Sequence, residues 1–210
     1  FEVGKQGKLK AAVKWGIGID NVDFSACKDL AISIINTPDM FGSEVADIAM
    51  GYVIALARET FQIDRYIRDG HWPKPRGISL MGKTVALLGY GDVGKNVAMR
   101  MLASGMKVVA YDPYVISDNQ ISAVEHEKWP KRIDEADFIV ITCSLTESSR
   151  HMINEKLLKK VKSGVRIVNV GRGPIIDETA LESALISEKV YSAALDVFEI
   201  EPLPMHSYLR

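Results

Sequence analysis

The chain has 210 residues, 47% of them hydrophobic and 25% charged, which is enough apolar surface for a sizeable core and far from the composition of a disordered segment. Twenty-six Lys and Arg stand against 27 Asp and Glu, a net charge of -1. That balance removes the electrostatic case for a nucleic-acid or membrane-surface partner and leaves any charged ligand to be met by local groups. The longest apolar run, residues 48–57, is too short to span a bilayer, and no basic segment leads into a signal-like stretch, so the expected location is cytoplasmic. Cys27 and Cys143 fall in segments that read as a helix and a buried strand, and reduced core thiols are expected. No metal site is expected. Phe1 in place of Met, and Arg210 directly after a Pro-rich loop, read as cut ends, so a fragment of a longer chain is expected.

In chain order, an apolar strand over residues 9–15 ends at a glycine-bearing loop, Gly16 to Gly18, and is followed by a helix over 24–30 and a strand over 32–35. Asn36, Thr37, Pro38 and Asp39 break the pattern. One long helix is expected from Ser43, which can cap it, to Arg68, with Glu44 and Asp47 near the positive end of its dipole. It stops at Gly70, and the prolines and glycine of residues 72–77 make the best linker candidate. Beyond it the order is strand 84–88, helix 93–103, strand 107–111, a weakly patterned stretch, strand 138–142, helix 154–161, strand 165–170, helix 178–187 and strand 191–197. Five parallel strands alternating with helices predict an α/β fold, a Rossmann-type doubly wound sheet whose ligand lies at the carboxyl ends of the strands.

Gly89, Tyr90, Gly91, Asp92, Val93 and Gly94 have the form G-x-G-x-x-G and sit between an apolar strand and a helix. The first glycine permits the tight turn, the second lets a pyrophosphate approach the backbone, the third lets helix and strand pack closely, and free amides at the helix start bind phosphate. Asp112 ends the next strand, where a carboxylate can accept bonds from the adenosine ribose and repel a 2′-phosphate; Pro113 and Tyr114 follow, with no arginine immediately after. NAD is therefore expected in preference to NADP. Asn169, Val170, Gly171, Arg172 and Gly173 lie where another strand leaves the sheet, so Arg172 is expected over the same edge, where its guanidinium can grip a carboxylate with two parallel bonds. A surface arginine between turn glycines is the equal alternative. Asp196 and Glu201, at and after the end of the last strand, are by themselves ordinary strand-end carboxylates.

Four ordered blocks together resemble the D-isomer-specific 2-hydroxyacid dehydrogenases, which include phosphoglycerate, hydroxypyruvate, glyoxylate and D-lactate enzymes. The blocks are residues 16–23 (GIGIDNVD), Asn36-Thr37-Pro38 through residues 43–47 (SEVAD), the dinucleotide loop through Asp112-Pro113, and residues 169–173 (NVGRG) followed by 195–198 (LDVF) and Glu201-Pro202. The resemblance implies an NAD-dependent oxidoreductase that interconverts a D-2-hydroxy acid and a 2-keto acid. Residues 1–38 would be the remnant of a flavodoxin-like substrate domain and 39–210 the NAD-binding domain. It implies further that Arg172 polarises the substrate and that the amides of Ile17 and Gly18 hold its carboxylate. Glu201 would orient a catalytic histidine, Asp196 would bind the nicotinamide carboxamide, and Cys143, Thr146 and Val170 would line the cofactor. Glu199, which lacks a following proline, is expected to be solvated. Gly70-His71-Trp72 resembles the segment through which the family forms homodimers.

Three departures stand out. Asp92 occupies a position that is usually basic, Ser144 one that is usually proline, and none of the four histidines, His71, His126, His151 and His206, has the context of the family's acid–base histidine, expected beyond position 210. Two other readings stay open. The stretch from Gly89 to Lys95 is also similar to the NAD-binding loop of adenosylhomocysteine hydrolases, and the same fold serves NAD-sensing proteins of the C-terminal-binding-protein corepressor type.

Overall fold

The computed structural model describes residues 5–114 and 121–210. Two parallel sheets are present. The smaller pairs β1 (Ala11–Lys14) with β2 (Ser33–Asn36), joined through α1 (Phe24–Asp29). Asp23 caps α1 by accepting from the Ala26 amide at 2.8 Å.

The larger sheet has six strands: β3 (Thr84–Leu88), β4 (Lys107–Tyr111), β5 (Val124–His126), β6 (Phe138–Ile141), β7 (Val165–Asn169) and β8 (Val190–Leu195), in the order β5-β4-β3-β6-β7-β8 and all parallel. The order turns at β3, where the two halves of a doubly wound sheet diverge and a crevice opens at the carboxyl edge. Alternate residues of β3 feed two cores. Val85 and Leu87 pack with Ala46, Val53, Val97 and Met101 on the face covered by α2 (Gly42–Arg58) and α4 (Asp92–Ala103). Ala86 and Leu88 pack with Leu157, Ile175 and Leu181 on the face covered by α5 (Glu155–Leu158) and α6 (Glu178–Ile186). Strands buried on both faces read as unbroken apolar runs, and β3 and β4 keep their expected limits residue for residue.

Four expectations are corrected. β5 is a sixth strand where the sequence is weakly patterned; it has three residues, of which Val124 is buried, too few for a period to show. The long helix is two, α2 and α3 (Thr60–Arg68), broken at Glu59, whose φ is 58°. Tertiary partners take up the carbonyls freed there: Arg166 Nε donates to the carbonyl of Leu56 at 3.2 Å and the Ile78 amide to that of Ala57 at 2.8 Å. Ser43 does not cap α2, which starts one residue earlier; its Oγ accepts from Arg100 at 2.9 Å. Cys143 lies beyond the end of β6, not within it. Both cysteines are free thiols. Among the described residues, no helix is long and apolar enough to cross a membrane and no group of His, Cys, Asp and Glu could hold a metal ion.

Candidate active site

The turn between β3 and α4 is shaped by its glycines. Gly89 has a φ of 94°, and a Cβ there would stand 2.7 Å from the backbone of Cys143, so any other residue would be strained and blocked. A Cβ on Gly94 would overlap the Gly89 carbonyl, whereas nothing lies within 4 Å of one on Gly91. The backbone is therefore closed on the protein side and open on the ligand side. The amides of Gly91, Asp92 and Val93 donate to no acceptor among the described residues, which is the arrangement an anionic group requires at a helix start.

Asp112 fixes this turn from β4: its Oδ2 accepts from the Tyr90 amide at 2.7 Å and its Oδ1 from the Tyr114 amide at 2.8 Å. Each oxygen keeps acceptor capacity for a ribose hydroxyl. The Asp92 side chain turns away from the loop mouth. Its Oδ1 accepts from Asn96 Nδ2 at 3.1 Å, and its buried Oδ2 lies against Gly42 at the start of α2, where any side chain would overlap it. The positive ends of α2 and α4 face this carboxylate, so its charge is not spent against a phosphate. The donor set, the open space at Gly91 and the acceptor capacity left on Asp112 fit a dinucleotide.

Across the carboxyl edge, the loop after β1 and the turn after β7 enclose a cavity of about 790 Å³ whose lining includes Ile17, Gly18, Val93, Cys143, Val170 and Arg172. Thr37 Oγ1 accepts from the Gly16 amide at 2.9 Å and Asn36 Nδ2 donates to the Ile17 carbonyl at 3.0 Å. The amides of Ile17 and Gly18 have no acceptor among the described residues, and Arg172 lies so close that a Cβ on Gly18 would overlap its guanidinium. Arg172 Nε donates to Asp20 Oδ1 at 3.0 Å and Nη1 to the Gly171 carbonyl at 2.8 Å. Burial pushes the Asp20 carboxyl up, but the Arg172 bond, with Lys14 behind it, brings it below the usual carboxylate value. A cation, two free amides and an apolar wall thus converge on one space, which suits a small carboxylate with a polarisable neighbour.

Cys143 lines this cavity as an inert thiol, pushed up to about 11 by burial. The other expected residues lie outside the lining. Asp196 directly follows β8 on the same edge and accepts from the Tyr52 hydroxyl at 3.1 Å. Thr146 turns its hydroxyl into its own loop, toward Ser148 and Ser149. Glu201 is exposed and accepts from the Phe198 amide at 3.0 Å. Glu199 is not merely solvated: its Oε1 meets His151 Nε2 at 2.6 Å. No histidine lines the cavity among the described residues. His71 packs edge-on to Tyr66, His126 edge-on to Tyr90, and His206 is exposed.

Two clamps were given no role from the sequence. Thr142 Oγ1 stands 3.0 Å from the carbonyls of both Leu88 and Gly89, tying the glycine turn to β6. Asn169, 1% exposed, accepts from the Gly171 amide and donates to the Arg172 carbonyl, each at 3.0 Å, and so presents Arg172. An amide residue closing an apolar strand just before a glycine turn is the signal for Asn169, since a buried polar side chain has to be satisfied.

Residues 50–210 match the family described as D-isomer specific 2-hydroxyacid dehydrogenase, NAD binding domain. A hydroxypyruvate reductase of Thermotoga maritima is 43% identical over 204 residues, covering 96% of this chain and 65% of its own length. The crystal structure of a glyoxylate reductase from Paecilomyes thermophila superposes with a TM-score of 0.87 at 30% identity, over 98% of this chain and 72% of that one. A D-lactate dehydrogenase from Aquifex aeolicus complexed with NAD and lactic acid superposes with a TM-score of 0.85 at 28% identity, over 94% of this chain and 60% of that one. The chain thus spans about two thirds of the reductase it matches. Fold, dinucleotide turn and these likenesses agree: the chain belongs to the D-isomer-specific 2-hydroxyacid dehydrogenase family and carries its NAD-binding domain.

Proposed function

We propose that this protein interconverts a D-2-hydroxy acid and a 2-keto acid by hydride transfer with NAD. The observation that carries the reading is the meeting of Arg172 with the free amides of Ile17 and Gly18 across a cavity that Val93, at the start of α4, also lines. Arg172 holds the substrate carboxylate and draws charge toward the keto oxygen, while the two amides hold the carboxylate from the other side. Asp20 competes for the same guanidinium until substrate arrives and keeps it pointed into the cavity. The nicotinamide, when bound, supplies or accepts the hydride. Asp196 orients the nicotinamide's carboxamide, Val170 and Cys143 pack along the cofactor, and Thr146 closes the adenine-side loop. Glu201 orients a histidine that exchanges the proton with the substrate oxygen, and that histidine is none of the four in these 210 residues.

Residues 1–38 are assigned to the substrate domain and 39–210 to the cofactor domain. The setting is cytoplasmic, with no nucleic-acid or membrane partner. A homodimer is part of the same proposal: α3 and the segment after it expose Phe61, Tyr66, Ile67 and Trp72, an apolar group that suits burial against a second copy. NADH oxidation with glyoxylate, hydroxypyruvate, pyruvate and phosphohydroxypyruvate tests the function. The full-length protein is expected to reduce at least one, and the 210-residue chain to bind NADH without turnover. NADH binding by the full-length protein with no hydride transfer to any 2-keto acid would favour an NAD-sensing role instead.

A further inference from the structure

The ribose end of the dinucleotide site holds a titratable group that the proposed reaction does not use. Ala110 on β4 lies opposite His126 on β5, so the imidazole sits beside the strand end from which Asp112 emerges. Tyr90 joins the two. Its amide donates to Asp112 Oδ2 at 2.7 Å, and its ring, 4% exposed, stands edge-on to His126 with the centroids 4.7 Å apart at 85°.

Both nitrogens of His126 are buried and neither has a hydrogen-bond partner among the described residues. A neutral imidazole carries one donor and one acceptor, and an imidazolium two donors, so the ring is unpaired in either state and a charged ring would be stabilised by a nearby carboxylate. Among the described residues, the charged groups around it leave one candidate. Glu125 and Glu127, on and next to its own strand, are engaged by Arg132, and Glu127 also by Lys131. From α4, Lys95 lies over the Tyr90 ring, 6.0 Å from its centroid. Asp112, on β4, is bound only by backbone amides among the described residues.

We propose that His126 determines how strongly the ribose subsite rejects a 2′-phosphate: uncharged, it leaves the Asp112 carboxylate without a counter-ion, and protonated, it supplies one. The inference rests on the assignment of Asp112 to the adenosine ribose. Burial holds the imidazole below its ordinary pKa of 6.5, with Asp112 pulling the other way. The subsite therefore keeps its full repulsion near neutrality and loses part of it on acidification, when His126 takes a proton and the net charge facing a 2′-phosphate becomes less negative.

Calorimetric titration of NAD⁺ and NADP⁺, both stable in mild acid, at about pH 8 and about pH 5 tests this without any turnover. In the unaltered protein the ratio of the NADP⁺ to the NAD⁺ dissociation constant should fall on acidification by about fivefold more than in His126→Phe, the scale of one unit charge acting through a water-screened site. Proton uptake by the 2′-phosphate itself acts equally in both proteins and cancels in the comparison. His126→Gln gives a second uncharged variant should Phe disturb the Tyr90 packing, and it should behave as Phe does. Equal pH dependence in the unaltered protein and both variants would overturn the proposal. Asp112→Ala separates the two levels: if it leaves the ratio at pH 8 unchanged, the ribose assignment fails. If it narrows the ratio while the His126 variants match the unaltered protein, only the role of His126 fails.

Discussion

In the six-stranded sheet, β6 and β7 are buried at every position and β3 at all but its first, whereas β1 and β2 alternate exposed and half-buried residues, with Val13 68% and Ile35 55% exposed. The first region is held by apolar packing on two faces. The second is held to the site largely by polar ties: Thr37 and Asn36 clasp the loop after β1, and Asp20 meets Arg172. The candidate site lies where the two meet. A packed platform fixes the dinucleotide turn and Arg172, and a lightly packed wall brings the free amides of Ile17 and Gly18 to it. Precision on one side and adjustability on the other are what the proposed reaction, with a small acid entering and leaving, would need.

The largest effect that sharpens this contrast is on stability. Leu87→Ala, at a fully buried position, should cost about 2 to 5 kcal/mol in urea unfolding, and Val13→Ala should stay within about 0.5 kcal/mol. Equal losses at the two positions would break the contrast. A smaller effect falls on the cofactor turn: Asp112→Ala should reduce the preference for NADH over NADPH by roughly tenfold, about 1.4 kcal/mol, read by fluorescence titration at neutral pH. Unaltered preference would remove Asp112 from the ribose.

The smallest concerns the far end of the platform. Asp137 accepts from Lys162 at 2.7 Å and from the Thr84 amide at 3.0 Å. Burial pushes its carboxyl up, but these bonds outweigh it and the pKa lies below the usual 3.8. A folded pKa below the unfolded one stabilises above the unfolded value, so the contribution is full above about pH 5 and is lost as the pH falls through 3.8 toward the folded value. Asp137→Asn should cost about 1 kcal/mol at pH 7 and less than that near pH 3. A cost that does not shrink in acid would show that the bond's charge is not what stabilises.

Much of the platform was legible because buried parallel strands are contiguous apolar runs and because the glycines of the dinucleotide turn answer to local backbone geometry. The strands over 84–88 and 107–111 and the turn between Gly89 and Gly94 were of this kind. What could not be read depends on partners distant in sequence. The break at Glu59 is accompanied by bonds from Arg166 and Ile78 to two carbonyls at the end of α2. The turn of Asp92 toward the start of α2 depends on Gly42 having no side chain, and the pairing of Glu199 depends on the approach of His151. β5 was lost for the opposite reason, having too few residues for any pattern.

The measurement that bears most directly on the meeting of platform and wall is a paired one on Arg172→Ala in the full-length protein: NADH affinity by fluorescence titration, and single-turnover hydride transfer to a 2-keto acid that the unaltered enzyme reduces. Removal of such an electrostatic group is worth about 2 to 4 kcal/mol of transition-state stabilisation. NADH affinity within about twofold of the unaltered protein, with hydride transfer slowed by roughly 30- to 1,000-fold, is the predicted result. Near-normal hydride transfer with a collapse of NADH affinity would contradict the account, because it would make Arg172 part of the cofactor site and not the group that grips the acid.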